Sequence, residues 1–202
     1  MAVAPFLPTP VQPVIHLLRQ AGLQAPSDAE LAQAQQLTAA EYAQRYPTRA
    51  TLLHDTFQLD LERQKQDHVR MYAHFTSPVE RLFGLINYSV VDLAETSSQY
   101  LIDLGQHSAT WELLQEHLAT YSTPQLQQLL NEGIRQNLFR SDINIRLVTI
   151  IIVQQLNIVL TPNIFPPMVS SAEIFRSVFL YYIRGLCTPE GAQQAAEHFA
   201  RA

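Results

Sequence analysis

Residues 14–53, VIHLLRQAGLQAPSDAELAQAQQLTAAEYAQRYPTRATLL, decide the fold. The apolar run Val14, Ile15, Leu17 and Leu18 closes at Gly22, a residue free to take the left-handed conformation that ends helices. Ser27 with Glu30 three residues on has the spacing of a capping box, and it opens a second helix from Asp28 to about Ala34. Leu31 and Ala32 are that helix's inward residues. After a turn at Gln35 to Leu37, Thr38 and Glu41 repeat the spacing. This third helix ends before Pro47, because proline drives the preceding residue out of the helical region. Thr48 caps a fourth helix carrying Leu52, Leu53 and Phe57. Two short helices joined by a tight turn and braced by a first make a helix-turn-helix.

Outward from this stretch the pattern stays helical. Leu52, Leu53, Phe57, Leu61, Val69 and Tyr72 keep helical spacing, so one long helix is expected from Thr48 to about Phe75. Its middle is rich in charge, with Asp60, Glu62, Arg63, Lys65, Asp67 and Arg70, and reads as a solvated connector face. Ser77-Pro78 starts an apolar helix running to about Ser97, since proline suits the first helical turn. Shorter helices follow over Tyr100 to Gly105, Ala109 to Tyr121, and Pro124 to about Asn137, where asparagine takes a left-handed end. Ile143 to Leu160 is strongly apolar and is read as helix because no partner strand is visible. Pro162, Pro166 and Pro167 break the chain, Ser170 or Ser171 restarts it, and Thr188-Pro189 opens a short tail helix.

Two places carry a family resemblance. Gly22-Leu23, Ser27 to Ala32, Leu37-Thr38 and Tyr46-Pro47-Thr48-Arg49 fall, without gaps, on the N-terminal pattern of the tetracycline-repressor (TetR) family of transcriptional regulators. Farther on, Glu132-Gly133-Ile134, Leu138-Phe139-Arg140 and Asp142 resemble a step found in many C-terminal domains of that family. The resemblance implies an all-α, TetR-like fold. Residues 1–50 would form a helix-turn-helix DNA-binding-like domain, with a proline-rich arm over 1–13. Residues 51–202 would form a larger helical domain for ligand binding and dimerisation.

The resemblance also implies function: a DNA-binding homodimer controlled by a small hydrophobic ligand. Thr38, Tyr42, Arg45, Thr48 and Arg49 are the expected contacts to double-stranded DNA. Phe75, Phe83, Tyr88, Tyr100, His107, Trp111, His117 and Tyr121 lie on the helices that line the family's ligand cavity, and aromatic walls with polar tips suit a hydrophobic molecule. The helices over Ile143–Leu160 and Ser171–Leu186 carry more apolar surface than one small core hides. They give Leu147, Ile151, Gln154, Phe175, Phe179 and Tyr182 as the expected dimer interface.

Some residues depart from the family. Gln36 stands where glycine is usual in the turn. Ala39, Glu41 and Ala43 stand where the recognition helix usually turns polar or basic groups and a tyrosine toward DNA. Over residues 11–50 three arginines meet three acids, and the whole chain carries a net charge of −5, which argues against broad affinity for a polyanion. An alternative follows: a TetR-fold dimer that no longer reads DNA and binds a small molecule or a protein.

The remaining composition narrows the class. The single Cys187 allows no internal disulfide, suits a reducing compartment, and reads as a small buried hydrophobe. No run approaches a membrane span and no basic leader precedes the first apolar run, so a cytoplasmic protein without membrane attachment is expected. Nothing resembles a nucleophile elbow, a phosphate loop or a paired-cysteine site, and the seven histidines are not spaced as a metal set. No enzyme activity, cofactor or metal is expected.

Overall fold

The computed structural model describes residues 12–160, 164–166 and 168–201. The proline-rich arm over residues 1–11, and Pro162 and Pro167, lie outside the described residues. Gln12 and Pro13 do not belong to an arm: they open the first helix, α1 (Gln12–Ala21). It is followed by α2 (Asp28–Ala34), α3 (Ala39–Arg45), α4 (Arg49–Tyr72), α5 (Pro78–Ala94), α6 (Ser98–Gln106), α7 (Ser108–His117), a π turn (Leu118–Ser122), α8 (Thr123–Arg135), α9 (Ile145–Leu160), α10 (Ser171–Leu186) and α11 (Pro189–Arg201). Among the described residues the fold is all-α, with one isolated bridge between Phe139 and Cys187.

The helix starts follow from their caps. Ser27, Thr38 and Ser77 each close a capping box, with Glu30, Glu41 and Glu80 returning a carboxylate to the cap's own backbone N–H. Gly22 sits at φ 104° and Asn137 at φ 56°, so both helix ends take the left-handed region. Gln36 takes it as well, at φ 58°, in the turn between α2 and α3. A side chain there costs about 1 kcal/mol relative to glycine. Gly133 is needed for closeness instead: a Cβ would run into the Phe139 ring packed on it.

The α7 and α8 segments are not separate helices. The π turn joins them into one rod, and Thr123 N–H donates to the Leu118 carbonyl. Pro124 explains this turn, because its ring and missing N–H cannot be accommodated by an unbroken α-helix.

Two apolar cores result. The first gathers Val14, Leu18, Leu31, Tyr42, Leu52 and Leu53 from α1–α4, and it continues into Tyr100, Leu101 and Leu104 of α6. The second gathers Val79, Leu82 and Phe83 of α5 with Leu130, Phe139, Ile152, Phe175 and Ile183. Helix α4 contributes Leu52, Leu53, Phe57 and Leu61 to the first core and packs on α1, α5 and α7.

The expected solvated face of α4 is corrected by the structure. Asp60, Asp67 and His68 are buried, at 3%, 6% and 8% exposure. They follow Leu53 and Phe57 along the same stripe, and the charges are tolerated because each finds a partner.

Candidate ligand cavity and reader helices

A cavity of about 180 Å³ lies among α4, α5, α6, the α7–α8 rod, α9 and α10. Its larger part is apolar, walled by Leu82, Ile86, Leu118, Leu126, Ile152, Leu156, Phe175 and Phe179. Its other end is polar, walled by Arg19, Asp60, Gln64, His68, Tyr88, Asp92, Thr96 and His117. The π turn contributes Leu118 and Ser122 to the wall, so the accommodation forced by Pro124 also shapes the cavity.

The polar end is backed by a buried ion network. Arg19 Nη2 donates to Asp60 Oδ2 at 2.8 Å, and Nη1 to Asp92 Oδ1 at 2.5 Å. Arg63 Nε donates to Asp60 Oδ1 at 2.8 Å, and its Nη1 to Asp67 Oδ2 at 2.9 Å. Tyr88 Oη donates to Asp67 Oδ2 at 3.0 Å, and Arg70 Nη1 lies 3.6 Å from Asp67 Oδ1. Burial works against the charge on Arg19, but Asp60 and Asp92 outweigh it and hold the guanidinium pKa well above its ordinary value. Arg63 is raised in the same way, burial being outweighed by Asp60 and its neighbours. Burial raises the Tyr88 and Tyr100 phenols, which therefore stay protonated. Three helices meet here: α1, α4 and α5.

His68, His117 and Tyr88 form the aromatic side of the cavity, with Tyr121 packed behind them. The His68 ring lies 5.0 Å from Tyr88 and 5.9 Å from Tyr121, and His117 lies 5.0 Å from Tyr121. Burial lowers both imidazoles from 6.5 to about 4, helped by His117 and Arg63 at His68 and by Lys65 at His117. Both are neutral in the folded chain near neutrality. The unfolded chain takes up protons below about 6.5 while the folded one does not. Stability contributed by the neutral rings is therefore complete above about 6.5 and is lost as pH falls toward 4. For His68 alone the loss approaches about 3 kcal/mol. Thermal unfolding followed from pH 7 to pH 4 should show this fall, and His68→Phe should flatten it.

Of the residues expected to line the cavity, Tyr88, Tyr100 and His117 do so. The other five are placed elsewhere. Phe83 is fully buried in the second core, and the Phe75 ring covers Gly84. His107 caps α7 through Nδ1, which accepts from Thr110 N–H at 3.4 Å. Trp111 packs against the first core. Tyr121 stands behind the wall, with Oη 3.4 Å from the Lys65 carbonyl and from His68 Nδ1.

Phe175 and Phe179, expected at a dimer interface, are inward: they are 4% and 3% exposed and stack on each other inside the cavity wall. The outward face of α9 carries Leu147, Ile150, Ile151 and Ile158, at 56%, 48%, 43% and 43% exposure, with Gln154 on the same stripe. On α10, Tyr181 is 74% exposed and Tyr182 is half-buried.

Among the described residues no group of three or more His, Cys, Asp or Glu could hold a metal ion. No described helix is long and apolar enough to cross a membrane. Cys187 is buried, and burial raises its thiol to about 11, leaving it a small hydrophobe.

No family model matches the sequence, and no curated protein matches it significantly. Solved structures do match. A TetR transcription regulator from Haloarcula marismortui aligns with a TM-score of 0.70 at 19% identity, over 89% of this chain and 96% of that one. A TetR-family regulator from Agrobacterium tumefaciens aligns at 0.69 and 14% identity, over 89% and 96%. FadR from Bacillus subtilis, in complex with stearoyl-CoA, aligns at 0.60 and 14% identity, over 88% and 97%. The fold is TetR-like.

In a TetR-like fold α2 and α3 are the helix-turn-helix, and the five expected DNA contacts fall unequally on it. Tyr42 is in the core, 6% exposed, with Oη donating to Asp28 Oδ1 at 3.2 Å. Arg49 is tied down: Nε and Nη2 donate to the Leu23 carbonyl at 3.2 and 2.7 Å, and Asp28 lies 3.7 Å from Nη1. Thr38 and Thr48 are exposed, but their hydroxyls cap α3 and α4. Arg45 stays exposed at the end of α3, its guanidinium 5.4 Å from the Tyr46 ring centroid. The rest of the exposed α3 surface is Ala39, Ala40, Glu41, Ala43 and Gln44.

The reading from sequence missed Arg19, Asp60, Gln64, His68 and Asp92 as cavity residues. The available signal was Asp60 standing seven residues after Leu53, on the inward stripe of α4.

Proposed function

We propose that the chain is a TetR-like transcriptional regulator. In this reading residues 1–50 are the DNA reader and residues 51–202 the ligand and dimerisation body, and the protein is a cytoplasmic homodimer without enzymatic activity. A small hydrophobic molecule in the cavity shifts the population between two dimer shapes with different reader spacing. The observation that carries this reading is helix α4. It runs unbroken from Arg49, which follows α3 closely in the chain, to His68 in the cavity wall and on to Tyr72. A ligand that displaces the cavity wall bears on the helix that holds the reader. The stearoyl-CoA bound by the Bacillus subtilis FadR structure supports a regulatory ligand in this kind of fold.

The test is electrophoretic retardation of the DNA upstream of the protein's own gene, at low salt. Arg45→Ala should weaken binding across sequences and lower the salt slope by about one, because Arg45 is the exposed cation of α3. An unchanged slope would remove Arg45 from the interface. Arg49→Ala is a poor probe, since it releases the Leu23 carbonyl and perturbs the reader itself.

A second reading has a specific observation in its favour. The exposed face of α3 is mostly alanine, and its one carboxylate, Glu41, is engaged in the capping box. Such a face suits a TetR-fold dimer that has lost DNA binding and serves as a small-molecule or protein-binding module. Retention of cavity binding with no DNA retardation at any salt concentration would favour it.

A further inference from the structure

We infer that α6 holds the helix-turn-helix by a contact of its own, and that Asp103 is the positioning residue. It grips the Gly22-Leu23 corner, and through Leu23, Arg49 and Asp28 it fixes α3. This gives the cavity wall a path to α3 that does not run along α4. The inference concerns how α3 is held, and it stands whether or not α3 reads DNA.

The corner needs an acceptor. Gly22, at φ 104°, turns the chain out of α1, and its N–H donates to the Leu18 carbonyl at 2.8 Å. The next N–H, that of Leu23, lies beyond the helix end and donates to Asp103 Oδ2 at 2.7 Å. Leu23 is 2% exposed, so its amide would be costly to leave unpaired. A carboxylate acceptor makes the bond stronger than a neutral one. Asp103 Oδ1 accepts from Gln99 Nε2 at 2.7 Å, which holds the carboxylate in place. At the other end of α6, Ser97 N–H donates to the Arg19 carbonyl at 2.8 Å. The approach is close: a Cβ on Gly22 would lie 2.8 Å from Asp103 Oδ2 and 2.9 Å from Gln99 Cγ.

The grip continues into the helix-turn-helix. The Leu23 carbonyl accepts from Arg49 Nε and Nη2 at 3.2 and 2.7 Å. One residue is thus held at one end of its backbone by α6 and at the other by the first residue of α4. Arg49 Nη1 lies 3.7 Å from Asp28 Oδ1, which accepts from Tyr42 Oη at 3.2 Å. Tyr42 is the buried residue of α3. The strong links are the two at Leu23, since an exposed ion pair such as Arg49–Asp28 adds little energy.

The same short helix meets the cavity. Tyr100, Leu101 and Leu104 of α6 line it, and α6 packs on α9, which supplies Leu156 to the opposite part of the lining. A displacement of this wall bears on the Asp103–Leu23 bond, which is either made or broken.

The test is amide hydrogen exchange on the full chain, with α8 as the control. Asp103→Ala should speed exchange in α2 and α3 about tenfold, the equivalent of one charge-assisted hydrogen bond, and leave α8 unchanged. Asp103→Asn, which keeps an oxygen for the Leu23 N–H, should restore most of the protection. Arg49→Met should act on the same amides, and adding it to Asp103→Ala should change them by less than about twofold more, since the two act through one residue. Leu156→Trp, which crowds the cavity, should alter exchange in α2 and α3 in the wild type and not in Asp103→Ala. If Asp103→Ala speeds only the Leu23 amide, Asp103 is a local cap and the inference is wrong. If α8 loosens equally, Asp103 supports the whole fold and the inference is again wrong. Multiplied effects of Asp103→Ala and Arg49→Met would break the path at Leu23, and an Asn variant as damaged as the Ala variant would remove the bond from it. If Leu156→Trp leaves α2 and α3 unchanged in the wild type, the cavity wall does not act through α6.

Discussion

Asp60→Ala should lower the free energy of unfolding by about 3–5 kcal/mol. Asp60 is 3% exposed and accepts from Arg19 Nη2 and Arg63 Nε, both at 2.8 Å. Its removal leaves two guanidinium groups sharing Asp92 and Asp67 in a site with little water. The large effect comes from those stranded charges and not from the bond energies, since a buried pair as a whole returns little net stability. The double variant Asp60→Leu with Arg19→Met should therefore be far less damaged than the single one. Urea unfolding of the two variants checks this, and a single-variant loss below about 1 kcal/mol would mean that the network is wetter than its burial implies. A second effect should accompany the first. Because Arg19 ties α1 to α4 and α5, breaking the network should loosen the reader against the body before global unfolding.

In the proposed homodimer, Ile151→Glu should leave a monomer. The α9 stripe of Leu147, Ile150, Ile151, Gln154 and Ile158 places four large apolar side chains, each at least 43% exposed, along one helix face. A contiguous surface of this kind marks an interaction site, and a helix face pairs with its own copy about a two-fold axis. A carboxylate at the centre of that face is buried without a partner on association, so self-association should weaken by at least about a hundredfold. Sedimentation equilibrium at micromolar concentration should give twice 22.9 kDa for the wild type and 22.9 kDa for the variant. A variant that remains dimeric would place the interface elsewhere. Phe175→Glu is not an equivalent test, because that ring lies in the chain's own core.

The fold was largely legible because its determinants are local. Capping boxes at Ser27 and Thr38, the Ser77-Pro78 start and left-handed ends at Gly22 and Asn137 are properties of a few adjacent residues. The cavity was legible only in part, because it depends on which residues meet across helices. Asp60, Asp67 and His68 read as a wet face since each is polar alone. What buries them is Arg19 on α1 and Tyr88 and Asp92 on α5, and no local pattern announces that meeting. Phe175 and Phe179 show the same limit from the other side. An apolar helix surface declares that it is covered, but not whether the cover is the same chain or a second copy. Tyr121 lies within the π turn at Leu118–Ser122, whose register a plain helical pattern does not give.

The central claim is that two copies hold their α3 helices at the spacing of successive major grooves. A spin label at exposed Gln44, with buried Cys187 replaced by serine, measures that spacing in solution. The account predicts one dominant distance near about 35 Å plus the reach of the labels. A protein with no dipolar coupling between labels, or with α3 helices held at a distance that no pair of adjacent grooves can match, would contradict it.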